Sequence, residues 1–151
     1  MKIYFDVSCL NRPFDDQRQT RVRLEAEAVT LIFEKIDAGP WRQVSSQIAE
    51  IEITAMPDVE RRRRVRALLP ARKDRIRLTP RMFSRAAQLG RLGFQPADAL
   101  HIAAAEALKP DVMLTCDDRL YRRAKRFRSK LGVRVDNPLL WLKEEPDAPN
   151  T

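Results

Sequence analysis

Four acidic side chains stand where this sequence could concentrate chemistry. Asp6 directly follows the apolar run KIYF, and Asp117 stands two residues after the apolar run VMLT. Glu50 and Asp98 each lie near the start of a predicted helix. Because ligands gather at the carboxyl ends of the strands in an open parallel sheet, we expect all four carboxylates at one edge of such a sheet.

Clustered carboxylates repel one another, and this repulsion raises their pKa values unless a cation neutralises them. Oxygen donors of this kind suit Mg²⁺ or Mn²⁺. An ion held by carboxylates beside a basic surface suits phosphodiester hydrolysis, because it activates water and stabilises charge on the phosphate. The chain carries 29 Lys and Arg residues against 21 Asp and Glu, a net charge of +8, which favours a polyanionic partner such as a nucleic acid.

The elements that must position the acids alternate between strands and helices. Short β-branched or aromatic runs predict strands, and apolar residues at helical spacing, bounded by Gly or Pro, predict helices. Strands separated by helices imply right-handed β-α-β units and therefore a mostly parallel sheet covered on both faces. The predicted strands are 2–5, 41–44, 76–78, 112–115 and 133–135, and the predicted helices are 20–38, 46–56, 58–75, 79–92, 96–107 and 119–130.

Length and composition bound the class of protein. The 151 residues predict one domain, residues 1–145, followed by a flexible tail at 146–151. The chain has no apolar run of about 18 residues, and its start, MKIYFDVS, soon turns polar, so a spanning helix and a signal peptide are not expected. Two cysteines without ligand spacing fit a reducing compartment. We therefore expect a cytoplasmic protein without a membrane partner.

Four short motifs give the chain a resemblance to a known family. They are D-x-S-x-L at Asp6–Leu10, S-x-x-x-x-E at Ser45–Glu50, D-A-L-x-x-A-A-A at Asp98–Ala105 and L-T-x-D at Leu114–Asp117. Each is unspecific alone, but the four in this order resemble the PIN domain, in particular the VapC-like toxin ribonucleases. The resemblance implies a three-layer α/β/α fold with a mostly parallel sheet of four to five strands, and a metal-dependent endoribonuclease.

The resemblance also implies roles for individual residues. The family's catalytic acids, which bind Mg²⁺ or Mn²⁺ directly or through water, correspond to Asp6, Glu50, Asp98 and Asp117. Ser8 and Thr115 match hydroxyl positions that orient an acid or a metal-bound water.

Two further acids are alternatives to these assignments. Glu50 and Glu52 lie two residues, about 200°, apart on a helix, so only one of them can face the site. The distance from Ser45 favours Glu50. Asp118 could be mistaken for the fourth acid, but it follows the T-x-D position, which favours a solvated or helix-capping role.

Several other residues have more ordinary explanations. His101 is the only histidine, and its place inside a helix favours a structural role over general base catalysis. We expect Cys9 and Cys116 to approach each other as small buried thiols. The core is expected to include the aromatic residues Trp41, Phe83, Phe94 and Trp141.

The expected partners follow from charge and from the resemblance. Arginines on a predicted basic helix form the candidate RNA-binding surface, namely Arg61, Arg62, Arg63, Arg64 and Arg66. VapC-like toxins also pair with an antitoxin and form homodimers, so the resemblance implies both partners for this chain. The alternative is a PIN-like module that binds nucleic acid or protein without catalysis, and the presence of all four acids argues against it.

Overall fold

The computed structural model describes residues 1–144, so the tail predicted at 146–151 lies outside the described residues. Five parallel strands form one sheet in the order β3-β2-β1-β4-β5. The strands are β1 (Lys2–Phe5), β2 (Arg42–Ser46), β3 (Arg75–Ile76), β4 (Val112–Leu114) and β5 (Val135–Asp136).

The central strand is β1, because its apolar residues can be buried on both faces of the sheet. Its register pairs Tyr4 with Val44 on one side and Phe5 with Leu114 on the other. The strands β1 and β4 therefore end level with each other. The residues that follow Phe5 and Leu114 therefore lie next to each other at the carboxyl edge of the sheet.

Helices cover both faces of the sheet. Side chains alternate between the faces along β1, so Ile3 and Phe5 pack with Ile32 and Trp141 in one core, while Tyr4 packs with Ile102 in another. The helices are α1 (Val7–Asn11), α2 (Thr20–Ala38), α3 (Gln47–Thr54), α4 (Val59–Arg66), α5 (Pro80–Gly90), α6 (Pro96–Leu108), α7 (Asp118–Arg126) and α8 (Pro138–Glu144). This arrangement confirms the predicted three-layer α/β/α fold. No helix within residues 1–144 has the length and apolar character needed to cross a membrane.

The structure corrects several predicted elements. The basic helix predicted over 58–75 is wrong beyond Arg66, because Pro70 lacks an N–H donor and disfavours helical geometry in the residue before it. The last strand lies at Val135–Asp136 rather than 133–135. The segments α1 and α8 are helices that the sequence analysis did not predict.

One aromatic residue was also assigned wrongly to the core. Trp41, Phe94 and Trp141 are buried, but Phe83 is 53% exposed. The helix α5 buries Met82 and Leu89, and Phe83 lies about 100° around the helix from Met82. Its apolar character therefore does not bring it inside.

Candidate active site

Asp6 is the most tightly held acid at the carboxyl edge of the sheet. It follows β1 and caps α1, where its Oδ1 accepts hydrogen bonds from Ser8 Oγ at 2.6 Å and from the Cys9 backbone N–H at 3.1 Å. Its Oδ2 accepts a hydrogen bond from Thr115 Oγ1 at 2.5 Å. The level ends of β1 and β4 bring these groups together. Both predicted hydroxyl residues therefore contact the first acid.

Burial governs the charge state of Asp6. The side chain is nearly inaccessible, and loss of solvent raises its pKa above the ordinary value. His101 and the hydrogen bonds from Ser8, Thr115 and Cys9 act in the opposite direction, because they favour the carboxylate. Asp6 is thus a buried carboxylate fixed in one orientation by surrounding donors.

Asp98 lies in the first turn of α6, which begins at Pro96. Its pKa is raised to about 6, first by burial and then by the negative charges of Asp117 and Asp6. His101 lowers the pKa of Asp98, and Glu52 raises it. Asp98 therefore lies within electrostatic reach of Asp117, Asp6 and Glu52.

Asp117 is the N-cap of α7. Its Oδ1 accepts hydrogen bonds from the backbone N–H groups of Arg119 at 2.9 Å and Leu120 at 3.2 Å. Within residues 1–144, the side-chain hydrogen bonds of Asp117 all fall on Oδ1, which leaves Oδ2 for another ligand. Its neighbour Asp118 pairs with Arg122 at 3.0 Å.

The two glutamates of α3 point to different partners. Glu50 Oε2 accepts a hydrogen bond from Arg75 Nη1 at 3.2 Å. Glu52 Oε1 instead lies 2.5 Å from His101 Nε2, and its charge raises the pKa of Asp98. The structure therefore brings Glu52, the alternative in the sequence analysis, towards Asp98, and it directs the preferred Glu50 towards Arg75.

The helical repeat provides the signal that could have identified Glu52. It stands four residues after Ile48 and three after Ala49, both of which are buried. Side chains at that spacing share a face, and this face is directed into the protein. The sequence analysis used the separation from Ser45 instead. The residue that caps α3 is Ser46, whose Oγ accepts a hydrogen bond from the Ala49 backbone N–H.

A chain of buried polar groups supports Glu52. His101 Nδ1 lies 2.6 Å from the Tyr4 hydroxyl, which lies 2.7 Å from Ser46 Oγ. The Tyr4 hydroxyl and the two imidazole nitrogens thus form one continuous chain of hydrogen bonds from Ser46 to Glu52. Burial raises the pKa of Tyr4, so its hydroxyl stays protonated. His101 thus has a buried, positioning contact with an acid.

The donor chemistry of this edge fits a divalent ion. Within the described residues, no three His, Cys, Asp or Glu side chains converge closely enough to enclose a metal. Mg²⁺ retains several waters and usually takes only one or two protein carboxylates. The pKa of Asp98 is raised in part by the charges of Asp117, Asp6 and Glu52, an effect that a bound cation would offset. Asp6, Asp98, Asp117 and Glu52 are the residues that would hold such an ion, directly or through its waters.

The arginines predicted to bind RNA lie on α4, and many of their contacts are internal. Arg61 donates to Asp15 Oδ1 at 2.8 Å and to the Phe14 carbonyl at 2.6 Å. Arg63 and Arg64 both pair with Glu60. Arg62 donates a hydrogen bond to the Met56 carbonyl, and Arg66 donates one to Thr54 Oγ1. RNA binding by this cluster stays a prediction.

The two cysteines meet beneath the site. Cys9 Sγ and Cys116 Sγ are 3.5 Å apart, and both side chains are buried. Burial raises the pKa of the Cys9 thiol. They are free thiols in this structure, and they fill space under the turn that carries Asp6.

Comparisons with known proteins agree with the fold described above. The family model described as "PIN domain" matches residues 3–126. No protein of curated function matches the chain by sequence. Two solved structures share the fold with 91% of this chain covered. One is FitAB bound to an IR36 DNA fragment, with 17% identity, a TM-score of 0.59 and 95% of that chain covered.

The second structure is VapBC2 from Rickettsia felis bound to a DNA fragment from their promoter. It has 12% identity, a TM-score of 0.58 and 98% of that chain covered. At these identities the likeness concerns the fold, and it extends over nearly the full length of the matched chains.

Proposed function

Because this chain belongs to the PIN domain family, we propose that it is a divalent-metal-dependent endoribonuclease and the toxin of a toxin–antitoxin pair. The observation that carries the proposal is the juxtaposition of Asp6 and Asp117 at the level ends of β1 and β4, where the Thr115 hydroxyl contacts both residues. Asp98 lies near enough that their charges, together with burial, raise its pKa to about 6, so acids from three segments meet at one edge of the sheet. That arrangement costs stability in the absence of a cation and is expected where a cation is used.

Each acid has a role that follows from its surroundings. Asp6 is held by Ser8 and Thr115, so it presents its oxygens in a fixed direction. Asp98 stands in the first turn of α6, and Asp117 caps the start of α7. We assign Glu52 as the second acid in place of Glu50, because Glu52 acts on Asp98 while Glu50 is paired with Arg75.

A bound Mg²⁺ or Mn²⁺ would activate water and stabilise charge developing on a phosphate. The protein's own contribution is to fix the carboxylates before substrate arrives. Thr115 donates to Asp6 and also accepts the Asp117 backbone N–H at 3.0 Å, so one hydroxyl links the first and fourth acids. Positioning of this kind limits the reorganisation that the reaction requires.

Support for an antitoxin partner comes from the resemblance to VapC-like toxins and from the VapBC2 complex among the structural neighbours. Such a toxin acts inside the cell, so we assign it to the cytoplasm. A homodimer remains part of the same proposal through the resemblance alone.

The test is cleavage of a total-RNA pool by the wild-type protein and by Asp98→Asn, each with Mn²⁺ and with EDTA. Discrete products from the wild type with Mn²⁺ alone are expected. If neither protein cleaves, a Mn²⁺ titration distinguishes a nuclease whose substrate is absent from the pool from a module that only binds. A protein that takes up no ion in the millimolar range is a binding module and not a nuclease.

A growth assay tests the toxin role separately. Induced expression of the wild type is expected to arrest growth, while Asp98→Asn is tolerated at equal protein level. Cleavage in vitro without growth arrest would retain the nuclease and reject the toxin assignment.

A further inference from the structure

Four arginines share one side of α7. Arg119, Arg122, Arg123 and Arg126 follow the i, i+3, i+4, i+7 spacing of a helix face and line a surface cavity of about 230 Å³. The opposite side of the helix buries Leu120 and Ala124 in the core. Core packing therefore fixes the rotation of α7 and keeps the arginine face at the surface.

This arginine face begins at the candidate active site. Asp117 caps α7, and the Arg119 backbone N–H donates to its Oδ1 at 2.9 Å. Arg123 Nη1 donates to the Leu92 carbonyl at 3.1 Å, in the segment that leads into α6 and Asp98. The arginine face thus lies on the helix that Asp117 caps, and through Arg123 it contacts the segment that leads to Asp98. It extends about 13 Å along the helix from Asp117, at 1.5 Å per residue.

The segment before α6 is shaped to admit Arg123. Gly93 has a φ of +97°, and a side chain there would collide with the Arg123 guanidinium. A residue with a β-carbon would therefore strain the backbone and displace the arginine. The close approach at Gly93 anchors one edge of the arginine face.

The charges of this face are poorly compensated within the protein. Arg122 pairs with Asp118, and both groups are solvent-exposed. Arg126 lies over the Phe127 ring, 5.3 Å from its centroid, and it pairs with no acid among residues 1–144. Within the described residues, the side chain of Arg119 has no hydrogen bond or ion pair. On α4, by contrast, the single acid Glu60 pairs with both Arg63 and Arg64.

A row of guanidinium groups beside a phosphodiesterase site suits a polyanion. The planar fork of Arg binds phosphate oxygens with two parallel hydrogen bonds. Contacts of this kind fix the position of a nucleic acid backbone and carry no base information. From these observations we infer that the arginine face of α7 binds the sugar–phosphate backbone of the RNA and leads it to the acids. This inference rests on the proposed nuclease function and names the surface that serves it.

The test measures RNA binding without cleavage. Fluorescence anisotropy of a labelled single-stranded RNA of mixed sequence, about 20 nucleotides long, is followed in EDTA with the full chain. The variant Arg119→Gln/Arg122→Gln/Arg126→Gln removes three charges and leaves Arg123 to hold the Leu92 carbonyl. The control Arg42→Gln/Arg72→Gln/Lys73→Gln removes three exposed charges at the amino ends of β2 and β3, the opposite edge of the sheet.

We expect the α7 variant to bind about tenfold or more weakly, and the control to stay within about twofold of the wild type. The logarithmic salt dependence should become shallower by about 2 units for the α7 variant, since each single-strand phosphate contact contributes about 0.7. The variant Arg119→Lys/Arg122→Lys/Arg126→Lys keeps the charge and should retain more binding than the glutamine variant. Circular dichroism melting confirms folding, and Arg119→Gln alone serves if the triple variant unfolds.

Equal loss in the α7 variant and the control would show that net charge alone drives binding and would overturn the inference. Undiminished binding by the α7 variant would also overturn it. So would a result in which an acidic peptide binds this face while RNA does not. Cleavage with Mn²⁺ is scored separately, so failure of the nuclease proposal is distinguished from failure of this one.

Discussion

His101 Nε2 lies 2.5 Å from Glu52 Oε1, and the imidazole is almost fully buried. The contact joins α6 to α3, and in the proposed nuclease it would make the only histidine of the chain a residue that positions Glu52. Outer groups that orient a ligand are commonly worth 10–100-fold in metal affinity or activity, as an order of magnitude.

We expect His101→Leu to weaken Mn²⁺ binding about tenfold, because Glu52 and Tyr4 each lose a hydrogen-bond partner. His101→Gln retains an amide that can donate, and it should recover part of the affinity. Calorimetric Mn²⁺ titrations of both variants and the wild type measure the effect. Equal affinity for all three proteins would remove the positioning role.

The two glutamates of α3 give a matched pair of variants. Glu52→Gln is expected to reduce RNA cleavage with Mn²⁺ at least about 100-fold, because it removes a charge that acts on Asp98. Glu50→Gln removes only a partly exposed ion pair with Arg75 and should leave the cleavage rate within about threefold. Rate measurements at saturating Mn²⁺ compare the two. The reverse order would restore the assignment made from sequence.

Sequence reasoning predicted most of the scaffold for a physical reason. Parallel strands that are buried on both faces read as apolar runs, and the residues after them fall at one edge, so Asp6 and Asp117 could be located. Sequence reasoning did not predict the orientation of α3, because Glu50 and Glu52 differ only in the helix face on which they lie. Sequence reasoning also could not predict which arginines form contacts within the protein. Arg61 and Arg119 both belong to basic helical segments, and only tertiary contacts distinguish them.

The pKa of Asp98 makes stability depend on pH in the metal-free protein. The pKa of Asp98 in the folded protein, about 6, lies above the ordinary value of an aspartate, so protonation favours the folded state. The contribution of Asp98 to the free energy of unfolding is fully present below about pH 4 and is lost as the pH rises through about 6. Asp98→Asn removes the penalty and should raise the free energy of unfolding at pH 7.5 by about 1 kcal/mol, after allowance for solvent screening.

Urea unfolding in EDTA at pH 5 and pH 7.5 tests this expectation. The gain from Asp98→Asn should be larger at pH 7.5 than at pH 5. The same gain at both values would show that Asp98 does not titrate between them. Excess Mn²⁺ should raise the stability of the wild type more than that of the variant.

Arg61 ties α4 to the segment after α1. It donates to Asn11 Oδ1, to Asp15 Oδ1 and to the Phe14 carbonyl, and its side chain is 32% exposed. Arg61→Gln should lower the free energy of unfolding by about 1–3 kcal/mol, because partly buried acceptors lose a charged donor. Arg64→Gln on the same helix removes only an exposed pair with Glu60 and should change stability much less. Urea denaturation of both variants measures the difference, and equal costs would show that the Arg61 contacts do not stabilise this segment.

The paired thiols should be protected while the protein is folded. Burial raises the pKa of Cys9, and the thiolate is the form that reacts with alkylating reagents. Cys116 is also buried, 3.5 Å away, so a reagent reaches either sulfur only after local or global opening. We expect iodoacetamide at pH 7.5 to label neither cysteine at an appreciable rate in the native protein and both in urea, as measured by mass spectrometry. Rapid native labelling of Cys9 would show that the turn carrying Asp6 opens readily, and the fixed orientation assigned to that acid would then have to be abandoned.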